Sequence, residues 1–151
     1  MRTILIILLF LAGTASGQTA GIWKMNRDNS KHYDDEPLPR SLVIRFEARL
    51  GGEVVTIWRT TQEGRSETDS FIQYYDGKDH PYPRDEHFDS VNARKLQDGT
   101  VNVMFKKSGR IVFRQTRRLL TNGQQMKIEE QLLSKSGQWL GRVLVFDKQK
   151  E

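Results

Sequence analysis

The sequence predicts an all-β domain, an antiparallel up-and-down meander of about eight or nine strands that closes into a barrel. Three observations carry this. Glycine-bearing turn pairs punctuate the chain: Gly51-Gly52, Glu63-Gly64, Asp76-Gly77, Asp98-Gly99, Ser108-Gly109, Asn122-Gly123 and Ser136-Gly137. Between them lie segments of about 8–12 residues rich in Val, Ile, Thr, Phe and Trp, the pattern of hairpin-linked strands. No long helical periodicity follows the first 17 residues. So many antiparallel strands on tight links would leave long exposed edges unless the sheet closed on itself. A two-sheet sandwich, the alternative, usually uses longer crossovers.

Residues 1–17 read as a secretory signal. Arg2 supplies the positive end, Ile4 to Ala12 is an unbroken apolar run, and Ala15-Ser16-Gly17 puts small residues before a cleavage point at Gln18. The run is shorter than the ~20 apolar residues that span a bilayer. The expected product is not membrane-spanning and is exported, to the periplasm or the extracellular medium, as a single domain over 18–151. The chain has no cysteine, which excludes disulfides, cysteine nucleophiles, thiolate metal sites and a bacterial lipid anchor. After the signal, 44 of 134 residues are apolar. That suffices if apolar positions alternate, because a sheet wet on one side buries every second residue. Charge is uneven: residues 18–75 carry −1 and residues 76–151 carry +5.

The expected strands are 21–26, 41–50, 53–61, 67–75, 87–96, 100–107, 110–120, 124–133 and 138–147, with a short turn over 27–32. Over 41–50, Leu42, Ile44, Phe46, Ala48 and Leu50 share one face, and Arg45, Glu47 and Arg49 the other. Val101, Val103 and Phe105 form one apolar face, and Ile111, Phe113 and Leu119 another. Turns set register. Taking Asn122-Gly123 as a two-residue turn puts Leu119 opposite Met126, Arg117 opposite Ile128, Gln115 opposite Glu130 and Phe113 opposite Leu132. A three-residue loop Lys107-Ser108-Gly109 puts Phe105 opposite Ile111, whereas a two-residue loop would set it against Val112.

Gly21-Ile22-Trp23 resembles the Gly-x-Trp signature at the first strand of lipocalins and of the related fatty-acid-binding barrels. Val145-Phe146-Asp147-Lys148 looks like their last strand. The stretch Tyr75 to Pro81 is similar to a segment of small exported bacterial lipocalin-like proteins of unknown function. The resemblance implies a lipocalin-like (calycin-type) barrel with Gly21, Trp23 and Arg142 as its closing signature, a late arginine packing over the tryptophan. The chain departs from the fatty-acid-binding pattern at Leu144, where an arginine often stands; the nearest is Arg142.

Three constellations are candidates for function. Gln115, Arg117 and Glu130 point the same way as Phe113, Leu119 and Ile128. A charge on an apolar face needs a partner. Arg117 either holds a ligand carboxylate at the end of an apolar cavity or forms a diagonal ion pair with Glu130, with Gln115 bonded to that carboxylate. If the last hairpin has a three-residue loop, Arg142 also faces Glu130. Candidate ligand-binding residues are therefore Arg117, Gln115, Glu130, Phe46, Phe105 and Phe113, with Ile44, Leu119 and Ile128 as further lining. The same residues would simply fill a solid barrel. Second, Asp76, Asp79, His80, Asp85, Glu86, His87 and Asp89 crowd one loop; their spacing matches no metal motif, so no metal site is assigned. Third, Arg110, Arg114 and Arg118 form a basic stripe expected on one outer face. Export argues against nucleic acid as its partner and favours weak association with anionic lipid or an envelope polymer.

No nucleophile elbow, phosphate loop, zinc-protease helix or dinucleotide fingerprint is present. The expectation is therefore no enzyme and no cofactor, but an exported binding protein holding a small, largely apolar ligand. The alternative is an interaction module with a solid barrel, acting through its basic face and the 75–87 loop.

Overall fold

A computed structural model describes residues 19–33, 37–82 and 85–150. The secretory segment expected over 1–17 lies outside the described residues. The described chain is a ten-stranded antiparallel meander that forms a nearly closed barrel. The strands are β1 (Gly21–Lys31), β2 (Ser41–Arg49), β3 (Gly52–Thr60), β4 (Ser66–Tyr74), β5 (His80–Pro81), β6 (Ser90–Lys95), β7 (Val101–Lys107), β8 (Arg110–Leu119), β9 (Gln125–Leu133) and β10 (Trp139–Lys148). Apart from β4 and β5, neighbours in sequence are neighbours in the sheet, and β1 also pairs with β10. The seam lies between β4 and the β5–β6 hairpin. There the Tyr82 hydroxyl donates to Asp69, and the Phe71 and Tyr82 rings meet edge-on at 5.0 Å.

Two differences from the expected strands have local causes. His80 and Pro81 pair with Val91 and Ser90, which adds the two-residue β5. Residues 27–30 do contain the expected turn, but as a bulge inside β1. Ser30 Oγ donates to the Asn26 carbonyl at 2.7 Å, Asn29 N–H bonds Asn26 Oδ1 at 3.1 Å, and pairing with β10 resumes at Lys31.

The β8–β9 register is the expected one, Leu119 opposite Met126 through Phe113 opposite Leu132. The turn reaches it differently. Of its residues only Gly123 has a positive φ (65°), and Asn122 Oδ1 accepts from the backbone N–H of Gln124 and Gln125, so the loop is longer than two residues. The β7–β8 register departs from expectation. Ser108 (φ 50°) and Gly109 (φ 77°) form a two-residue turn with both residues left-handed. A β-bulge then absorbs Val112, so Phe105 faces Phe113 rather than Ile111, and Ile111 is carried opposite Lys106.

Alternation decides burial along β2: Leu42, Ile44 and Phe46 are buried, while Ala48 and the hairpin-tip Leu50 are exposed, contrary to the expected continuous face. The buried apolar residues fall into two clusters. One gathers Trp23, Met25, Phe46, Met126, Leu144 and Phe146; the other gathers Val91, Ala93, Val101, Val103, Phe105 and Tyr82. Phe71 packs against both. Trp23 is fully buried and its Nε1–H donates to the Thr19 carbonyl at 2.8 Å. The amine over its ring is Lys148, at 5.6 Å, not the guanidinium of Arg142 implied by the lipocalin pattern. Truncating so large a buried aromatic typically costs about 3–5 kcal/mol. Trp23→Ala is thus expected to lower the urea midpoint by that much stability; a loss under about 1 kcal/mol would show that Trp23 does not anchor the barrel end.

Candidate functional site

Between the two clusters the barrel is hollow. A cavity of about 460 Å³ extends from the interior to the rim where β3 and β4 meet Tyr82, Asp85 and Phe88. That lies within the ~300–1,000 Å³ of small-molecule sites. Half of its apolar lining is aromatic: Phe46 on β2, Phe105 on β7 and Phe113 on β8, with Phe71, Tyr82 and Phe88. Phe105 is 4.8 Å from Phe88 and 5.4 Å from Phe113, ring to ring. Ile44 and Ile128 line the cavity too. Leu119 packs against the Trp23 cluster instead.

The buried polar side chains of the wall form two groups, and Arg59, Glu67, Asp69 and Asp85 also line the cavity. Arg117, on β8, reaches across the barrel to Glu53 on β3, Nη2 to Oε1 at 2.5 Å, and both side chains are 5% exposed. The pairing of Glu53 opposite Gln73 on β4 lets Gln73 Nε2–H donate to the same oxygen at 2.9 Å. Gly52 permits this close strand pairing: a Cβ there would lie 2.1 Å from the Gln73 carbonyl oxygen. Arg117 also donates to the Tyr75 hydroxyl at 3.2 Å and lies 3.9 Å over the Phe46 ring. Burial pushes the Tyr75 phenol well above its ordinary value, and the Glu53 carboxylate adds to the effect.

The second group is a row across three strands. Gln115, Glu130 and Arg142 are register partners on β8, β9 and β10. Glu130 accepts from Gln115 Nε2 at 2.8 Å and from Arg142 Nε at 2.5 Å. The three-residue loop of the last hairpin sets Arg142 opposite Glu130. Arg142 stacks on Tyr33, 4.9 Å from its centroid.

Gln115, Arg117 and Glu130 thus share the interior, as alternation predicts, but the diagonal Arg117–Glu130 pair does not form. Each of the two charges has another partner. The carboxylate on Arg117 is also the protein's own, Glu53, rather than a place kept for a ligand's. Glu53 and Gln73 were readable: Glu53-Val55-Ile57 and Phe71-Gln73 alternate onto the inner face just as Gln115 and Arg117 do. What alternation cannot supply is which inward charges meet across the barrel.

Outside, the bulge at Val112 puts Arg110 out of step with Arg114 and Arg118, so the three do not share one face by alternation, although all are exposed. Arg114 lies 4.6 Å over the Trp139 ring, and Arg118 pairs with Glu129 at 2.9 Å. Lys127 and Arg118 hold the Glu129 carboxyl below the ordinary carboxylate range. The acidic loop does not converge. Asp76 takes the Lys78 N–H and the His80 ring, Asp79 takes Lys106 and Asn92, and Asp89 takes the Ser108 N–H. The Lys78 N–H holds Asp76, and Lys106 with Asn92 holds Asp79, below the usual carboxylate value. Among the described residues no helix is long and apolar enough to cross a membrane.

The nearly closed antiparallel meander with an interior cavity is an all-β, calycin-like barrel fold. The fold is similar to that of the zebrafish ileal bile acid-binding protein, whose crystal structure holds cholic acid. The TM-score is 0.53 over 87% of this chain and 99% of that one, at 12% identity. The sequence matches no family model and no curated protein.

A buried pair that loses one partner leaves an uncompensated charge, at a cost of about 3–5 kcal/mol, whereas replacing both with apolar groups is often neutral. Arg117→Leu and Glu53→Leu are each expected to lose about that much in urea unfolding, and the double variant to recover most of it. Additive losses would mean that the two residues are not coupled.

Proposed function

We propose that this protein is an exported carrier that holds a small, largely apolar ligand inside its barrel, without catalysis and without a cofactor. The hollow between the two core clusters carries the reading, because a barrel meant only to be solid would fill that space with side chains. Apolar ligand surface would be buried against Phe46, Phe105 and Phe113 at about 25 cal/mol per Å². Arg117 and Gln115 would set its orientation. The signal-like start of the chain supports export, and the fold shared with a bile-acid-binding protein supports a ligand in the barrel. The surface-module alternative draws less support, since Arg114 and Arg118 already have partners on their own face.

Native mass spectrometry of protein recovered from the exported fraction tests this. The expected polypeptide mass starts at Gln18, with an excess that disappears on denaturation. Ile57 lines the cavity, so Ile57→Trp is expected to abolish the excess while the fold, followed by circular dichroism, persists. A polypeptide retaining residues 1–17 would overturn export. A bare mass in the unaltered protein, with no uptake of added apolar ligands, would overturn the carrier.

A further inference from the structure

We propose that the ligand carries no charge: an apolar body with a neutral polar head, a carbonyl, ether or hydroxyl group, set against the ion-paired wall of the cavity. This rests on the carrier reading and adds the chemistry of the head group.

Three guanidinium groups line the cavity, Arg59, Arg117 and Arg142. Each has a carboxylate of the protein beside it: Glu67 at 3.8 Å, Glu53 at 2.5 Å and Glu130 at 2.5 Å. Asp69 and Asp85 line the same space. Among the described residues, acids therefore outnumber bases around the cavity. Arg59 and Glu67 are half exposed, so a carboxylate held in the buried part of the cavity would have to take Arg117 from Glu53 or Arg142 from Glu130. The displaced side chain, 5% or 6% exposed, would then be a buried carboxylate without its cation. A cationic head group would meet the reverse difficulty, with guanidinium groups already on Glu53 and Glu130.

Arg117 is already committed: it is 96% buried, its Nη2 is occupied by Glu53 and Tyr75, and its Nε is buried without a hydrogen-bond partner among the described residues. A neutral head group enters the cavity without adding a charge and without breaking either ion pair. The aromatic wall of Phe46, Phe105 and Phe113 then receives the apolar body.

The test is isothermal titration with three ten-carbon probes alike except at the head: decan-1-ol, decanoate and decyltrimethylammonium. Decan-1-ol is expected to bind at least about tenfold more tightly than either ion. Glu53→Gln removes the competing carboxylate from Arg117 and is expected to move the preference about tenfold towards decanoate. Should that variant not fold, Glu130→Gln removes the carboxylate charge beside Arg142 and is expected to move the preference in the same direction. Decanoate or the ammonium binding the unaltered protein as tightly as the alcohol would overturn the head-group inference and leave the carrier standing. So would an unchanged preference in a folded variant. No binding of any probe would overturn both.

Discussion

A guanidinium and a carboxylate withdrawn from water inside the barrel constrain everything around them. Desolvating each ion costs several kcal/mol, and the pair is tolerable only when geometry is good and the remaining polar atoms find partners. Arg117 and Glu53 meet that condition with Gln73, Tyr75 and the face of Phe46 around them. Their strands, β8 and β3, are not neighbours in the sheet. The pair is therefore a strut across the lumen, and collapse of the walls onto each other would bury these charges in apolar surroundings. Polar satisfaction and hollowness are two aspects of one arrangement.

The same constraint explains the division of the core. On one side Trp23, Phe146 and Met126 are fully buried; on the other Val101 and Val103 nearly so. Phe71 joins the two clusters near the seam, and elsewhere the cavity intervenes. A fold of this kind hosts many functions. What distinguishes this chain is the buried polar lining: two ionic groups, each with a glutamine attached, facing a wall rich in aromatic rings.

Much of this was legible in the residues, for identifiable reasons. Period-two alternation places Leu42, Ile44 and Phe46 inside, and Gln115, Arg117 and Glu130 with them. The Asn122 turn yields the β8–β9 register even though its backbone is not the two-residue form, because the pairing parity is unchanged. The β7–β8 register was not legible: a bulge at Val112 leaves no mark in composition, and without it the Ser108-Gly109 turn gives the wrong facing residues. Partner choice inside the barrel was illegible for a deeper reason. Arg117 and Glu53 are 64 residues apart, and local pattern says which side chains point inward but not which meet. The closing-signature arginine failed similarly: Arg142 is drawn to Glu130 by register, and Lys148 takes the place over Trp23.

The most direct test of the account is the side-chain ¹H–¹⁵N NMR signal of the Arg117 Nε–H, followed with that of Arg142 as decan-1-ol is added. Arg142 Nε is committed to Glu130, while Arg117 lines the lumen with its Nε free of any hydrogen bond among the described residues. The Arg117 signal is expected to shift as the barrel fills and the Arg142 signal to stay in place. A shift confined to Arg142, or binding with no change at Arg117, would contradict the account.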